Sequence, residues 1–523
     1  MKLNSALIVD NHSISGWQNS ALEVASDCLN IKLVLNCTNT ISRRFYFRHF
    51  AYYVLNLVCL QNRETRRVSC DISSAEIIDF ESGYDGRWQT IPDTVARILK
   101  SNNIQLVIKF GMSLLRIDDS ISDLDILSFH HGDPEQYRGR PAGFYELYNN
   151  DKTIGIVVQK LSNRLDAGQV FTRVHSKIYH HSYKQTAEHF FSLSKFLLRK
   201  AIESYILGET LYVGGIGPNY MLPSNATVLK FMFKLTRRKV ERLLYGLFCE
   251  KRWNIVVFKV NESCNNLLLS VSKGVSPLVH SRYTFYADPF FSATGDKIRT
   301  EALNARNGLG ELVELQASNG AFIRLLVSGE HYSYPCSVKD GDREYICPEV
   351  ASHSAPYLMP EPFDGKAKAY LKGLENIRAL DGTMFRHEHT YYFFCGVKQS
   401  SDDCLYLFFS DELTGPYRPH PQNPIVIDPR CARMAGKMLR WGDKVYRVGQ
   451  NNCFAYGNGI TISEIECLSR ERYSERNVAS VSFTDALGPH TVDVFGNLAV
   501  LDFYTNQLSF SAGYRRIVGK YLR

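Results

Sequence analysis

Residues 130 to 139, "HHGDPEQYRG", set two histidines, an aspartate, an arginine and two glycines directly after the apolar run "LDILS". A histidine at the carboxyl end of a buried strand stands where a reacting carbonyl is bound, and glycines such as Gly132 and Gly139 let the backbone approach a ligand closely. Farther along, "IGIVVQKLSNRLDAGQV" leads a strand into a turn that carries Asp166 and Gly168. If Asp166 reaches His130, the pair makes a carboxylate-oriented imidazole, able to accept a proton from an attacking amine and to steady a tetrahedral oxyanion. Each piece alone has a plainer role: a lone histidine is commonly a structural hydrogen-bonding residue, and an aspartate in an L-D-x-G turn caps its own loop.

The elements that position these residues are strand-like runs rich in Ile, Val and Leu: "SALIVD", "IKLVLNC", "EIIDF", "IQLVIKF", "ILSFHH" and "IGIVVQK". Such runs suit parallel strands buried on both faces. Helical stretches fall between them over residues 44–60 and 91–103, and a last one over 184–208 places Phe190, Leu193, Leu197, Ile202 and Tyr205 on one stripe before Gly208 as a C-cap. Residues 1–208 therefore read as an α/β domain with a mostly parallel, Rossmann-type sheet, which binds ligands at the carboxyl ends of its strands.

The order of strand, H-x-x-x-x-x-x-Y-R-G, helix, T-x-G-x-x-V and then L-D-x-G resembles the formyltransferase family, which includes methionyl-tRNA formyltransferase and the sugar N-formyltransferases of bacterial surface-polysaccharide pathways. The resemblance implies that His130 is the catalytic histidine and Asp166 the catalytic aspartate. It places Tyr137, Arg138 and Gly139 in the active-site loop, and Phe110 and Gly111 near a folate pocket. The family's asparagine, whose amide donates to the formyl oxygen, is replaced by Ser128, while His131, Gly132 and Asp133 stand where the family has Pro-Ser-Leu. Ser128 or His131 is the expected substitute donor. The implied reaction moves a formyl group from N10-formyltetrahydrofolate to the amine of an amino sugar, expected to be nucleotide-linked.

Beyond residue 252 the pattern changes to short aromatic and β-branched strands between Gly, Asp and Asn turns. Five segments, 287–301, 334–349, 380–395, 433–450 and 490–504, share a polar or small start, a strand, a tight turn and a second strand. Their spacing of about 50 residues is the length of a four-stranded propeller blade, so residues 253–523 read as an all-β five-bladed propeller. The first strand of each blade lines the channel, which gathers Asp288, Asp381, Arg433 and His490 at one funnel, with Glu301 and Glu349 at the ends of second strands. The segments "ADPF", "HYSYP", "CPE", "LDGTMF", "GPYRPHPQNPI" and "YRVGQNNCFAYGNGI" resemble five-bladed glycosidase-type propellers and, more closely, the N-terminal module of plant glucosamine inositolphosphorylceramide transferases. That resemblance implies either a carbohydrate-binding platform or a glycosidase or glycosyltransferase acting in the propeller beside a degenerate formyltransferase domain. In the glycosidase reading Asp288 is the base, Asp381 its modulator and Glu349 the best candidate acid.

Between the halves lies a basic stretch, 209–252, in which Lys230, Lys234, Arg237, Arg238, Lys239, Arg242, Lys251 and Arg252 alternate with apolar positions at helical spacing. It reads first as a linker helix with a solvated basic face, and second as a contact for a membrane surface or an anionic sugar-phosphate carrier. The formal charge of +8 over 523 residues is modest, which argues against a nucleic-acid partner. Thirteen cysteines without a C-x-x-C pair predict reduced thiols and no structural metal, and an N-terminus that reads as a first strand completes the expectation of a cytoplasmic protein.

Overall fold

The apolar runs of the first half assemble into one twisted nine-stranded sheet in the computed structural model. The structure describes residues 2–39, 41, 45–211, 215, 217–260, 276–279, 282–350, 352–398, 400, 402–483 and 486–522. The predicted helix start at residue 44 and linker residues 212–214 and 216 lie outside them. Two units emerge, Met1–Val240 and Glu241–Arg523.

In the first unit, β1 (Leu3–Asp10), β2 (Leu29–Cys37), β3 (Glu76–Phe80), β4 (Leu106–Lys109) and β5 (Ile126–His130) run parallel in the order β3-β2-β1-β4-β5. Ala6 to Val9 have no exposed surface, as expected of a central strand covered on both faces. Beyond β5 the sheet turns antiparallel through β6 (Thr153–Lys160) and β7 (Val170–Lys177). The strand order reverses between β1 and β4, so the ends of β1, β4 and β5 define the crevice in which such sheets hold ligands.

The predicted final helix is two helices, Tyr183–Leu193 and Leu197–Leu207, joined by a 3₁₀ turn at Ser194–Phe196. Ser194 causes the break: its hydroxyl donates back to the Phe190 carbonyl at 3.0 Å, a bond that bends helices. Gly208 ends the second helix in the left-handed region, at φ 68°, as predicted. The basic helix spans Asn225–Phe248 and stops earlier than the charge pattern suggests; Lys251 and Arg252 lie on the strand Cys249–Lys259.

The second unit is a five-bladed propeller. Two blades are four-stranded sheets beginning at Tyr286–Phe291 and Ser333–Asp340, a third of five strands begins at Ala379–His387, and a fourth of four strands begins at Leu439–Trp441. The fifth combines Val492–Phe495 and Leu498–Leu508 with Cys249–Lys259, so the strand that precedes the first blade completes the last one. Five apolar clusters lie between successive blades; the one containing Ile255, Ile298, Val313 and Val500 joins the fifth blade to the first. This closure leaves the ring without an open sheet edge at its seam.

Within the fourth blade, Arg447, with no exposed surface, is bonded to Glu475 on another strand, at 2.6 Å from Nε and 2.5 Å from Nη2. Removing one partner of such a pair leaves a buried charge uncompensated. Glu475→Gln is expected to lower the stability of the propeller by about 3–5 kcal/mol, read as an earlier propeller transition in chemical unfolding.

Candidate functional site

His130 ends β5 with its side chain buried, and Asp166 lies in the β6–β7 turn with its Oδ1 3.4 Å from His130 Nδ1. The other imidazole nitrogen, Nε2, is 2.8 Å from the Tyr137 carbonyl. A carbonyl only accepts, so Nε2 carries the proton of the neutral ring and Nδ1 presents its lone pair on the Asp166 side. The ring is thus oriented from both sides, by the Tyr137 carbonyl at Nε2 and by the Asp166 carboxylate at Nδ1.

The Y-R-G segment builds this arrangement. Gly139 donates its N–H to Asp166 Oδ2 at 2.8 Å, and at φ +86° it passes so close to Tyr220 that a Cβ there would meet the Tyr220 carbonyl at 2.2 Å. Arg138 and Gly139 pair in parallel with Asn219 and Tyr220, while the Arg138 guanidinium donates to the carbonyls of Gly217 and Leu165. Tyr137 stacks on Tyr220 and accepts from Asn149 at its hydroxyl. These three residues were expected to shape a cofactor site; Arg138 and Gly139 hold the Asp166 turn, while Tyr137 engages Asn149 through its hydroxyl and His130 through its carbonyl. Asp166 itself has φ 46°, and Gly168 behind it has no room for a side chain, since a Cβ would fall 1.7 Å from the Lys160 carbonyl.

Ser128 is beside Lys109 on one side and Gln159 on the other, on the same face of β5 as His130. His131 is turned away from them: its Nε2 is 2.9 Å from Ser194 Oγ, and its ring packs on Trp17, Phe190 and Phe191. Burial, with a smaller effect of His130, depresses its pKa to about 3. Of the two expected substitute donors, Ser128 lies on the strand face that carries His130, whereas His131 borders the cleft beside His130 with its ring packed among the aromatics. Phe110 packs on Trp17 and Phe129, and a Cβ at Gly111 would collide with Val9 and Asp10, so both stand at the crevice end of β4 as packing residues.

Two groups at the site were missed by sequence reasoning. Lys109 ends β4 beside Ser128; burial pulls its pKa down to about 8 against the opposing charges of Asp10 and Asp166. Glu146 lines the same cleft as His130, and burial, reinforced by Asp151 and Asp133, pushes its carboxyl up to about 8. That cleft, lined also by Tyr137, Gly139, Tyr145 and Tyr220, holds about 10 Å³, the room of one small group.

The propeller brings most of its predicted residues together. Asp288, Tyr334 and Asp381 have φ of 51°, 47° and 50°, and each sits where the inner ladder of its blade slips register. A left-handed residue repeated in three blades aims side chains at the axis. His490 stands between two carboxylates, with Nε2 3.2 Å from Asp288 and Nδ1 2.5 Å from Asp502. Burial lowers its pKa, but Asp502 and Asp288 outweigh burial and raise it. Asp502 also accepts the N–H groups of Asp288, His490 and Thr491. Arg433 is bonded to Asp381, which also accepts from Gln450 at 2.8 Å and donates its own N–H to Glu349. Glu301 lies instead against His331, at 3.8 Å. Burial raises Asp288 to about 6 and lifts Glu349 well above the carboxylate range. The ligand atoms of Asp288, His490 and Asp502 fall within 4.8 Å of one another, but each faces a protein partner.

Residues 280–490 match the family model of the N-terminal region of glucosamine inositolphosphorylceramide transferase 1. The transferase of that name from Arabidopsis thaliana is 26% identical over 210 residues, which is 37% of this chain and 27% of that one, so the chain covers about a quarter of its relative. Among solved structures, phosphoribosylglycinamide formyltransferase from Anaplasma phagocytophilum aligns with 42% of this chain and 100% of its own, at 12% identity and a TM-score of 0.29. The exo-β-1,3-galactanase 1,3Gal43A from Clostridium thermocellum aligns with 36% of this chain and 48% of its own, at 10% identity and a TM-score of 0.27. Asp288, Glu301, Glu349, Asp381, Arg433 and His490 lie inside the family match, whereas His130 and Asp166 lie outside it.

The depressed pKa of His131 has a consequence for stability. A histidine kept neutral by the fold contributes stability that is complete above its ordinary value of 6.5 and is lost as pH falls from there toward 3. The first unit is expected to lose up to about 1.4 kcal/mol per pH unit through this window. In His131→Phe that slope should be absent from unfolding midpoints measured across the range.

Proposed function

We propose that the first unit transfers a formyl group from N10-formyltetrahydrofolate to the amine of an amino sugar, and that the propeller holds the sugar-bearing molecule. The observation that carries this reading is the contact between His130 and Asp166, fixed by the Gly139 N–H at the carboxyl end of a parallel strand. The plant relatives of the propeller are named for a glucosamine transferase, and glucosamine is an amino sugar with a free amine to accept the group.

The groups that would meet the reacting end of the folate donor are the His130 imidazole, which lines the cleft and is oriented by Asp166, and the Ser128 hydroxyl and Lys109 ammonium, side by side on neighbouring strand ends. Lys109 and Ser128 would hold the formyl oxygen, beside Phe110 and Gly111 at the end of β4. When bound, the folate supplies the formyl carbon. As the sugar nitrogen forms its bond to that carbon, His130 takes the amine proton at Nδ1 and Asp166 stabilises the imidazolium. Lys109 and Ser128 donate to the oxygen as charge develops on it, and His130 then returns the proton to the leaving nitrogen. Lys109 takes over with a full charge what an asparagine amide does in the family that the motif resembles.

A second reading, a glycan-cleaving or glycan-transferring site in the propeller, is favoured by the raised pKa values of Asp288 and Glu349. Against it, Asp288 accepts from Thr491 Oγ1 and the Tyr334 N–H and faces His490, while Asp381 faces Arg433 and Gln450. Glu349, the third candidate, accepts the Asp381 N–H and lies 3.8 Å from Arg433, so all three carboxylates are held in place.

Formylation rates with a panel of nucleotide-linked amino sugars separate the two readings. His130→Asn, Asp166→Asn and Lys109→Met are each expected to slow transfer by about 100- to 1000-fold, while Asp288→Asn leaves the chemical step intact. The rate should fall as pH rises through about 8, where Lys109 loses its proton, and Lys109→Arg should move that limb upward. Loss of turnover in Asp288→Asn with full turnover in His130→Asn would place the chemistry in the propeller.

A further inference from the structure

The helix Asn225–Phe248 has two apolar faces. One is docked: Val228, Phe231 and Leu235 are buried, with Phe231 4.4 Å from Phe144 and 5.7 Å from Tyr183 between ring centroids. The other is open to solvent. Leu229, Met232, Phe233, Val240, Leu243, Leu244 and Leu247 are all exposed, Phe233 at 73%. At 3.6 residues per turn these positions fall within an arc of about 120°, turned away from the buried face.

Cations border this arc. Lys230, Arg237 and Lys239 are exposed within about 40° of its edges, while Lys234, bonded to the Tyr148 carbonyl, and Arg242 lie farther round, with Glu241 as the one acid between them. A neighbouring helix, Phe50–Cys59, repeats the pattern with Phe50, Val54, Leu57 and Val58 exposed at i, i+4, i+7 and i+8. The two are tied at their N-terminal ends, where Asn225 accepts from the Ala51 N–H and donates to the Phe47 carbonyl, both at 2.9 Å. A soluble domain buries its apolar stripes, so an exposed pair bordered by cations points to a surface that is apolar inside and anionic outside.

We infer that these two helices seat the protein on an anionic lipid surface, lying in its plane, with the apolar stripes in the acyl boundary and the lysines and arginines on the headgroups. A second copy of the chain fits the stripe less well, because self-pairing sets one cationic border against another. Among the described residues no helix is long and apolar enough to cross a membrane, and a surface-lying helix does not require one.

Co-sedimentation of the full chain with phosphatidylcholine vesicles, with and without phosphatidylserine, tests this at low salt. Binding is expected to be about tenfold or more tighter with phosphatidylserine and to weaken with added salt. Leu229→Ser with Phe233→Ser, which leaves the charge unchanged, should lose most of it at an unaltered unfolding midpoint, since both side chains are exposed. Lys230→Gln with Arg237→Gln and Lys239→Gln should reduce binding to the anionic vesicles. Equal sedimentation of the wild type and the serine variant would overturn the inference, because it would reduce the attraction to bulk charge. So would self-association of the wild type that the serine variant abolishes, which would put a second copy on the stripe.

Discussion

A single backbone donor, the N–H of Gly139, holds the Asp166 carboxylate where its other oxygen meets His130. Everything around the dyad serves that bond. Gly139 reaches it only with a left-handed backbone packed against Tyr220, a position no side chain tolerates. Arg138 ties the same segment to Gly217 on one side and to Leu165, next to the aspartate, on the other. Gly168 lets the turn that carries Asp166 close on the Lys160 carbonyl. The parallel sheet supplies the fixed end, because His130 is the last residue of a strand whose neighbours β4 and β6 hold it on both sides.

The propeller obeys a different constraint, the neutralisation of charge at its axis. Each acid that a left-handed inner-strand residue aims inward meets a basic side chain: Asp288 meets His490, and Asp381 meets Arg433. Asp502, fully buried on the second strand of the last blade, accepts three N–H groups from the first and last blades and faces His490. This network fastens the seam of the ring on its inner side, as the strand Cys249–Lys259 does on its outer side. A centre so paired is a rigid one.

Much of this was legible in the sequence because it is periodic or local. Buried parallel strands announce themselves as apolar runs, Gly208 as a helix stop, and the blades as a repeat of about 50 residues. His130 and Asp166 were legible as a pair because one ends a strand and the other lies in the turn that follows the neighbouring strand of the same sheet. Lys109 was not, since a lysine closing an apolar run looks like a solvated strand end until the fold sets Ser128 beside it. His131 misled for the opposite reason: next to His130 it looks chemical, yet one step along the chain turns its ring into the aromatic core. Asp502 lies inside an otherwise apolar run, the hairpin of the last blade sets it beside His490, and only ring closure brings it to Asp288. The break at Ser194 came from a side-chain hydrogen bond that apolar periodicity does not register.

The most direct measurement follows an isotope-labelled formyl group by nuclear magnetic resonance while the full chain is mixed with labelled N10-formyltetrahydrofolate and an amino-sugar nucleotide. The label is expected to leave the folate and to appear as a formamide on the sugar nitrogen, at a rate that depends on His130. Label that stays on the folate, or that appears only as free formate, would contradict it.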